Sequence, residues 1–111
     1  MKKGEVWRVR MPGGAGHAQA GERPAVVIQN DPMTTRLATV LIVPFTSQKN
    51  ATKYPGTVLI QPDSQNGLTV PSVALVFQTI ALDKSFFLSR YGSLDPAHLQ
   101  QVLALLVQLT H

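Results

Sequence analysis

Gly21-Glu22-Arg23-Pro24-Ala25-Val26-Val27-Ile28-Gln29-Asn30-Asp31 is the stretch around which the rest of the chain is arranged. Ala25 to Ile28 form a continuous apolar, mostly β-branched run, the pattern of a strand buried on both faces. Pro24 has no amide proton and is best tolerated as the first residue of a strand, which makes Arg23 the last loop residue before it. Gln29, Asn30 and Asp31 close the run with a polar cluster. A guanidinium at the mouth of a rigid strand suits a phosphate or carboxylate, because its planar donors match two oxygens at once. The plainer reading is an arginine paired with a surface neighbour.

Working outward, Glu5 to Val9 reads as a strand, with Arg8-Val9-Arg10 alternating polar and apolar. Met11 to Gly21 carries so many glycines that a loop is expected, and His17 and Gln19 are its residues best equipped for polar work. The lysine–serine pair of a phosphate-binding loop and the dinucleotide spacing are both missing there, so a nucleotide cofactor is not expected. Downstream, Asn30 to Thr35 reads as a turn and Leu37 to Val43 as a strand stopped at Pro44. Phe45-Thr46-Ser47-Gln48-Lys49-Asn50 then opens as a polar loop. Further strands are expected around Thr57 to Ile60, Ser72 to Thr79 and Phe86 to Leu88, with a short strand or bulge at Leu68 to Val70. Asp95-Pro96 starts a helix, with aspartate as N-cap and proline at the first helical position. Leu99, Val102, Leu103, Leu106 and Leu109 make its core-facing stripe. Leu105 and Val107 fall off that stripe and predict a second buried face, in a dimer or against a partner. Strands this short and numerous, with one terminal helix, favour a mainly β fold, a small antiparallel barrel plus α.

The chain has 111 residues and no cysteine. That length predicts one domain, 1–111, and the missing thiols exclude disulfide scaffolds, thiol nucleophiles and cysteine zinc sites. His17, His98 and His111 are too scattered for a metal site, so neither metal nor cofactor is expected. The N-terminus has no apolar signal core, and the longest apolar segment, Val102 to Val107, is far below spanning length. A cytoplasmic protein without membrane contact is the expectation. Charge is divided unevenly: the first half carries +5 and the remainder −1, within a total of +4. A basic half favours a polyanionic partner, although dispersed charge also serves plain solubility.

Gly4-Glu5-Val6-Trp7, the loop Gly16-His17-Ala18-Gln19-Ala20-Gly21-Glu22-Arg23-Pro24, Val43-Pro44-Phe45-Thr46-Ser47, and Gln78-Thr79-Ile80 with Asp83-Lys84 together resemble the PemK/MazF family of toxin endoribonucleases, particularly its Kid/PemK branch. The resemblance runs through the C-terminal helix and covers essentially the whole length. It implies a small SH3-like barrel with a C-terminal helix (CcdB/Kid/MazF-like), a homodimer, metal-independent cleavage of single-stranded RNA such as mRNA, and a cognate antitoxin that blocks the substrate groove. By that likeness Arg23, Thr46 and His17 are the catalytic set. Ser47 is the adjoining substrate-binding hydroxyl, and Gln19, Gln48 and Gln78 are further candidates to bind RNA. The chain departs from the family at Ala18, where a glutamate is common, and at Leu75 and Phe77, where Kid-like members carry an arginine and an aspartate.

The residues present suit one chemistry. RNA is cut without metal when its own 2′-hydroxyl attacks the adjacent phosphorus. Arg23 suits the phosphorane's charge, since a guanidinium stays protonated and matches phosphate oxygens. It suits proton transfer poorly, its pKa being roughly 12.5 or more. With the family carboxylates gone, His17 is the group of this region that titrates near neutrality. Glu22 is the weaker candidate. Thr46 and Ser47 would donate hydrogen bonds rather than act as nucleophiles. Trp7 reads as packing, while Phe45 or Tyr54, if exposed, would stack a base. Two alternatives stand beside this reading. One is a catalytically impaired member that still holds RNA or antitoxin. The other is a CcdB-like gyrase inhibitor, whose aromatic–isoleucine tail is replaced here by Leu109-Thr110-His111.

Overall fold

The computed structural model describes residues 1–12 and 21–111. Seven antiparallel strands, a short helix and a long terminal helix follow in the order β1 (Glu5–Met11), β2 (Gly21–Val27), α1 (Asp31–Arg36), β3 (Thr39–Thr46), β4 (Thr57–Ile60), β5 (Ser72–Leu75), β6 (Ile80–Asp83), β7 (Phe87–Ser93) and α2 (Pro96–Thr110). In space the strands run β4-β5-β3-β2-β1-β7, with β6 beside the first half of β3.

The Ala25–Ile28 run is the centre of this sheet, and both its faces are covered. Val26 and Ile28 join Val6, Val43, Phe45, Val58, Ile60 and Val102 in one apolar layer, against which Leu99, Leu103, Leu105 and Leu106 of α2 pack. Ala25 and Val27 join Val9, Met11, Val40, Ile42 and Leu82 in the layer on the opposite face. Each fully buried valine or isoleucine contributes about 1.5–3 kcal/mol. Gln29 ends the run as a buried clip: its Nε2 donates to Thr34 Oγ1 and to the Thr39 carbonyl, and its Oε1 accepts the Leu41 N–H.

Several boundaries differ from the sequence expectation, each for a local reason. β2 starts at Gly21, so Arg23 lies inside the strand, opposite Val9 of β1, and not in a loop. Pro24 is tolerated there because pairing of β2 with β3 begins only at Ala25. β3 likewise runs through Pro44 to Thr46, because Pro44 stands where β3 leaves β6 after Ile42 and takes up β5 at Phe45. A strand position without a ladder bond is where a proline costs least. Asn30–Arg36 is a capped helix rather than a turn, the Asn30 side chain accepting the Met33 N–H. Ser72 to Thr79 is not one strand: β5 ends at Leu75 and a 3-10 turn, Val76–Gln78, redirects the chain into β6. The final strand is longer than expected, reaching Ser93.

The sheet is curled but not a closed barrel. Its β4 end is tied back to β7 by residues 61–71, which form no strand at Leu68–Val70. The fully buried Asn66 organises this strap: its Oδ1 accepts the Asp63 and Leu68 amides, and its Nδ2 donates to the Gln61 carbonyl. Ser93 N–H then donates to Gln65 O at 2.8 Å. Contact this close admits no side chain. A Cβ on Gly92 would stand 1.9 Å from Gln65 O, and one on Gly67 (φ +72°) 2.3 Å from Tyr91 O. Among the described residues no helix is long and apolar enough to cross a membrane.

Candidate active site

The ends of β2 and β3 and the strap enclose an open cleft of about 470 Å³. One wall carries Glu22, Arg23, Thr46, Ser47 and Gln48; the other is Gly67 to Val70 with Ser72 and Tyr91. The sheet register explains why Arg23 and Thr46 meet. β2 and β3 pair up to Ala25 and Pro44, and the two strands run on from there along the same cleft, which Arg23 and Thr46 both line. Alternation puts both side chains on one face. Arg23 is half-buried, and its Nη1 reaches the Phe45 carbonyl at a long 3.4 Å. Burial lowers the pKa of this guanidinium from its ordinary value, yet an arginine remains charged across any working range. A desolvated cation interacts more strongly with phosphate than one in bulk water.

The hydroxyl side is arranged by the strand end. Thr46 Oγ1 accepts the Gln48 N–H at 3.3 Å, which shapes the turn leaving β3, and among the described residues its hydroxyl donates to no acceptor. Ser47 and Gln48 follow, both exposed. A second hollow, of about 350 Å³, continues the cleft past Thr46 and Gln48 toward Asn50, Tyr54, Phe77 and Gln78.

Of the residues singled out from the sequence, the fold thus gathers Arg23, Thr46, Ser47 and Gln48 in one cleft and Gln78 in the adjoining hollow. His17 and Gln19 lie outside the described residues. Glu22 lines the cleft, but its carboxylate is engaged by Arg8 at 2.6 Å and Arg10 at 3.8 Å. Phe45 is fully buried, so it cannot stack on a base; Tyr54 is half-exposed and can. Trp7 packs edge-on against Phe87, with its Nε1 donating to Glu5. His98 is bound to the N-cap Asp95. Among the described residues no cluster of three metal-ligating side chains occurs. Tyr91 and the strap were not anticipated.

The helix stripe also differs in detail. Leu105, placed off it, packs on the core, whereas Leu109, placed on it, is half-exposed; Val107, placed off it with Leu105, is exposed in the single chain.

Fold and cleft together define a small β domain with a desolvated guanidinium and adjacent hydroxyls in one open cleft. Its sequence matches the model of the PemK-like, MazF-like toxins of type II toxin–antitoxin systems over residues 2–110, and the chain belongs to that family. It is 33% identical over 107 residues to endoribonuclease MazF9 of Mycobacterium tuberculosis, covering 92% of this chain and 89% of that protein. It is 31% identical over 102 residues to endoribonuclease MazF of Staphylococcus saprophyticus, covering 92% and 84%. The crystal structure of MazF from Deinococcus radiodurans superposes with a TM-score of 0.84 at 25% identity, over 99% of this chain and 96% of that one.

Proposed function

We propose that this toxin is a cytoplasmic endoribonuclease that cuts single-stranded RNA, mRNA included, without a metal ion. The observation that carries the reading is that Arg23, Thr46, Ser47 and Gln48 line one cleft open to a chain-like ligand. The family's toxins and relatives named endoribonucleases support it over a gyrase inhibitor.

In the reaction, the ribose 2′-oxygen attacks phosphorus in line and the bond to the leaving 5′-oxygen breaks. The 2′-hydroxyl proton leaves to a base and the 5′-oxygen gains one. Arg23 donates to the non-bridging oxygens as charge gathers on them, and the Thr46 hydroxyl adds a neutral hydrogen bond. Because the nucleophile belongs to the substrate, the protein supplies positioning, charge and proton transfer only. His17 is the principal proton-transfer group in this reading, and Gln19 a further RNA contact. Products carry 2′,3′-cyclic phosphate and 5′-hydroxyl ends. A cognate antitoxin silences the toxin by covering the cleft. The active form is a homodimer, supported by the exposed apolar residues Leu59, Val107 and Leu109.

Cleavage of a mixed-sequence single-stranded RNA by the wild type, and not by an Arg23→Ala, Thr46→Ala double variant, tests the assignment. Tight RNA binding with no cleavage by the wild type would instead mark an impaired, binding-only toxin. Sedimentation as a 12.0 kDa monomer at micromolar concentration would remove the dimer.

A further inference from the structure

The strap of residues 61–71 carries an asparagine–glycine step: of Asn30, Asn50 and Asn66, only Asn66 precedes a glycine. Such a step is chemically labile. The backbone nitrogen of the second residue can attack the side-chain carbonyl carbon of the first, and a glycine, lacking Cβ, leaves that approach open. In the folded strap the carboxamide is held away from this reaction. Asn66 is fully buried. Its Oδ1 accepts the Asp63 and Leu68 amides at 3.2 and 3.0 Å, and its Nδ2 donates to the Gln61 carbonyl at 2.9 Å. Ring closure has to break that last bond, because Nδ2 is the atom that leaves. Burial also denies the carboxamide the water that must protonate the leaving ammonia and open the ring.

The same contacts say what the reaction would do to the strap. An aspartate at this position sets an acceptor against the Gln61 carbonyl and buries a charge near the Asp63 carboxylate, which itself accepts the Asn66 N–H at 2.8 Å. The isoaspartate product lengthens the main chain by one methylene. There is no room for it where strap and β7 meet backbone to backbone: a Cβ on Gly92 would already stand 1.9 Å from Gln65 O, and one on Gly67 2.3 Å from Tyr91 O. Gly67 to Val70 wall the cleft opposite Arg23, so the cleft is lost with the strap.

We propose that Asn66-Gly67 is a spontaneous deamidation site, latent while the strap is closed, whose reaction on strap opening converts the chain irreversibly into a form without this cleft wall. The Gly67 nitrogen gives its proton to water or hydroxide and bonds to the Asn66 Cγ. The Cγ–Nδ2 bond breaks, and ammonia leaves with a proton from water. Water then adds to either carbonyl of the succinimide, giving aspartate or isoaspartate. Strap opening thus sets the rate at which the toxin ages, and no oxidant or enzyme takes part.

The test follows the full chain in neutral buffer, native and in guanidinium, by ammonia release and by peptide mapping of each asparagine. The unfolded chain should lose the Asn66 amide before those of Asn30 and Asn50. The native chain should lose it at least about 10-fold more slowly, the factor that even a modest local opening cost imposes. Gly92→Ala, read below its melting temperature, should bring the native rate back toward the unfolded one. Aged wild type, separated by its extra negative charge and refolded, should have its folded-to-unfolded ratio lowered by roughly 5- to 150-fold and should bind single-stranded RNA less well; Asn66→Asp should match its aspartate form. Equal rates in the native and unfolded chains overturn the latency, and earlier loss at Asn30 or Asn50 overturns the site. Aged protein with the melt of the fresh protein overturns the consequence. Failure of fresh wild type to bind RNA counts against the nuclease reading alone, since rates and melts still decide this proposal.

Discussion

Replacing Arg23 by alanine removes the guanidinium that, among the described residues, lines the cleft together with Thr46. The group is half-buried and desolvated, which raises its effect on a developing phosphorane above that of a surface cation. Loss of one preorganised donor to an oxyanion costs about 10²–10³ in kcat. Ground-state binding should weaken as well, by about 1.5–3 kcal/mol for a hydrogen bond to a charged group. Initial rates on a fluorogenic RNA oligomer across pH, paired with thermal melts, separate the effects. The rate should fall by a constant factor at every pH, because the arginine is charged throughout. Melting should not drop, since a partly desolvated charge has been removed and not a packing group. Arg23→Lys should recover only part of the rate, keeping the charge without the fork. An Arg23→Ala protein with wild-type kcat would refute the reasoning, and so would a loss of rate explained by a lower melting temperature.

His17→Ala should flatten the pH–rate profile, which in the wild type should bend near an apparent pKa of about 6.5, and should slow cleavage by about 10²–10⁴-fold. An unchanged profile would shift the proton-transfer role elsewhere. Gly92→Ala forces a methyl to 1.9 Å from Gln65 O, so the strap must move. Denaturant melts should reveal a loss of about 1–3 kcal/mol or more, and RNA affinity should fall with it because the strap is a wall of the cleft. At Glu5 burial raises the carboxyl pKa, but hydrogen bonds from Lys2 N–H and Trp7 Nε1, with the N-terminus and Arg90, outweigh it and leave the value below 4.5. Its stabilisation is therefore present above pH 4.5 and lost as pH falls through the lower folded value. Glu5→Gln should lower stability at neutral pH by about 1–3 kcal/mol and flatten the acid limb of the stability–pH curve.

What the sequence reveals and what it hides divide along physical lines. The Ala25–Ile28 run and the Asp95-Pro96 start of α2 are strong local signals, and both hold. The two prolines mislead in the same way. Pro24 and Pro44 read as strand limits, yet each sits where a β-strand lacks one neighbour, a fact that only tertiary pairing supplies. Once β3 continues through Pro44, Thr46 becomes a strand residue beside Arg23 rather than a loop residue, and the cleft is the consequence. The strap is invisible to periodicity because a buried asparagine and two glycines hold it, not an apolar repeat. Leu105 packs on the core and Leu109 does not, a distribution that the helical repeat alone does not reveal.

The measurement closest to the central claim is end-group analysis of RNA cut by the pure wild-type protein in excess chelator. Cleavage should proceed undiminished, and every upstream fragment should end in a 2′,3′-cyclic phosphate and every downstream one begin with a 5′-hydroxyl. A substrate with a single 2′-deoxy linkage at the scissile position should resist. Activity that vanishes in chelator, 5′-phosphate ends, or cleavage of the 2′-deoxy substrate would contradict attack by the RNA's own hydroxyl under Arg23.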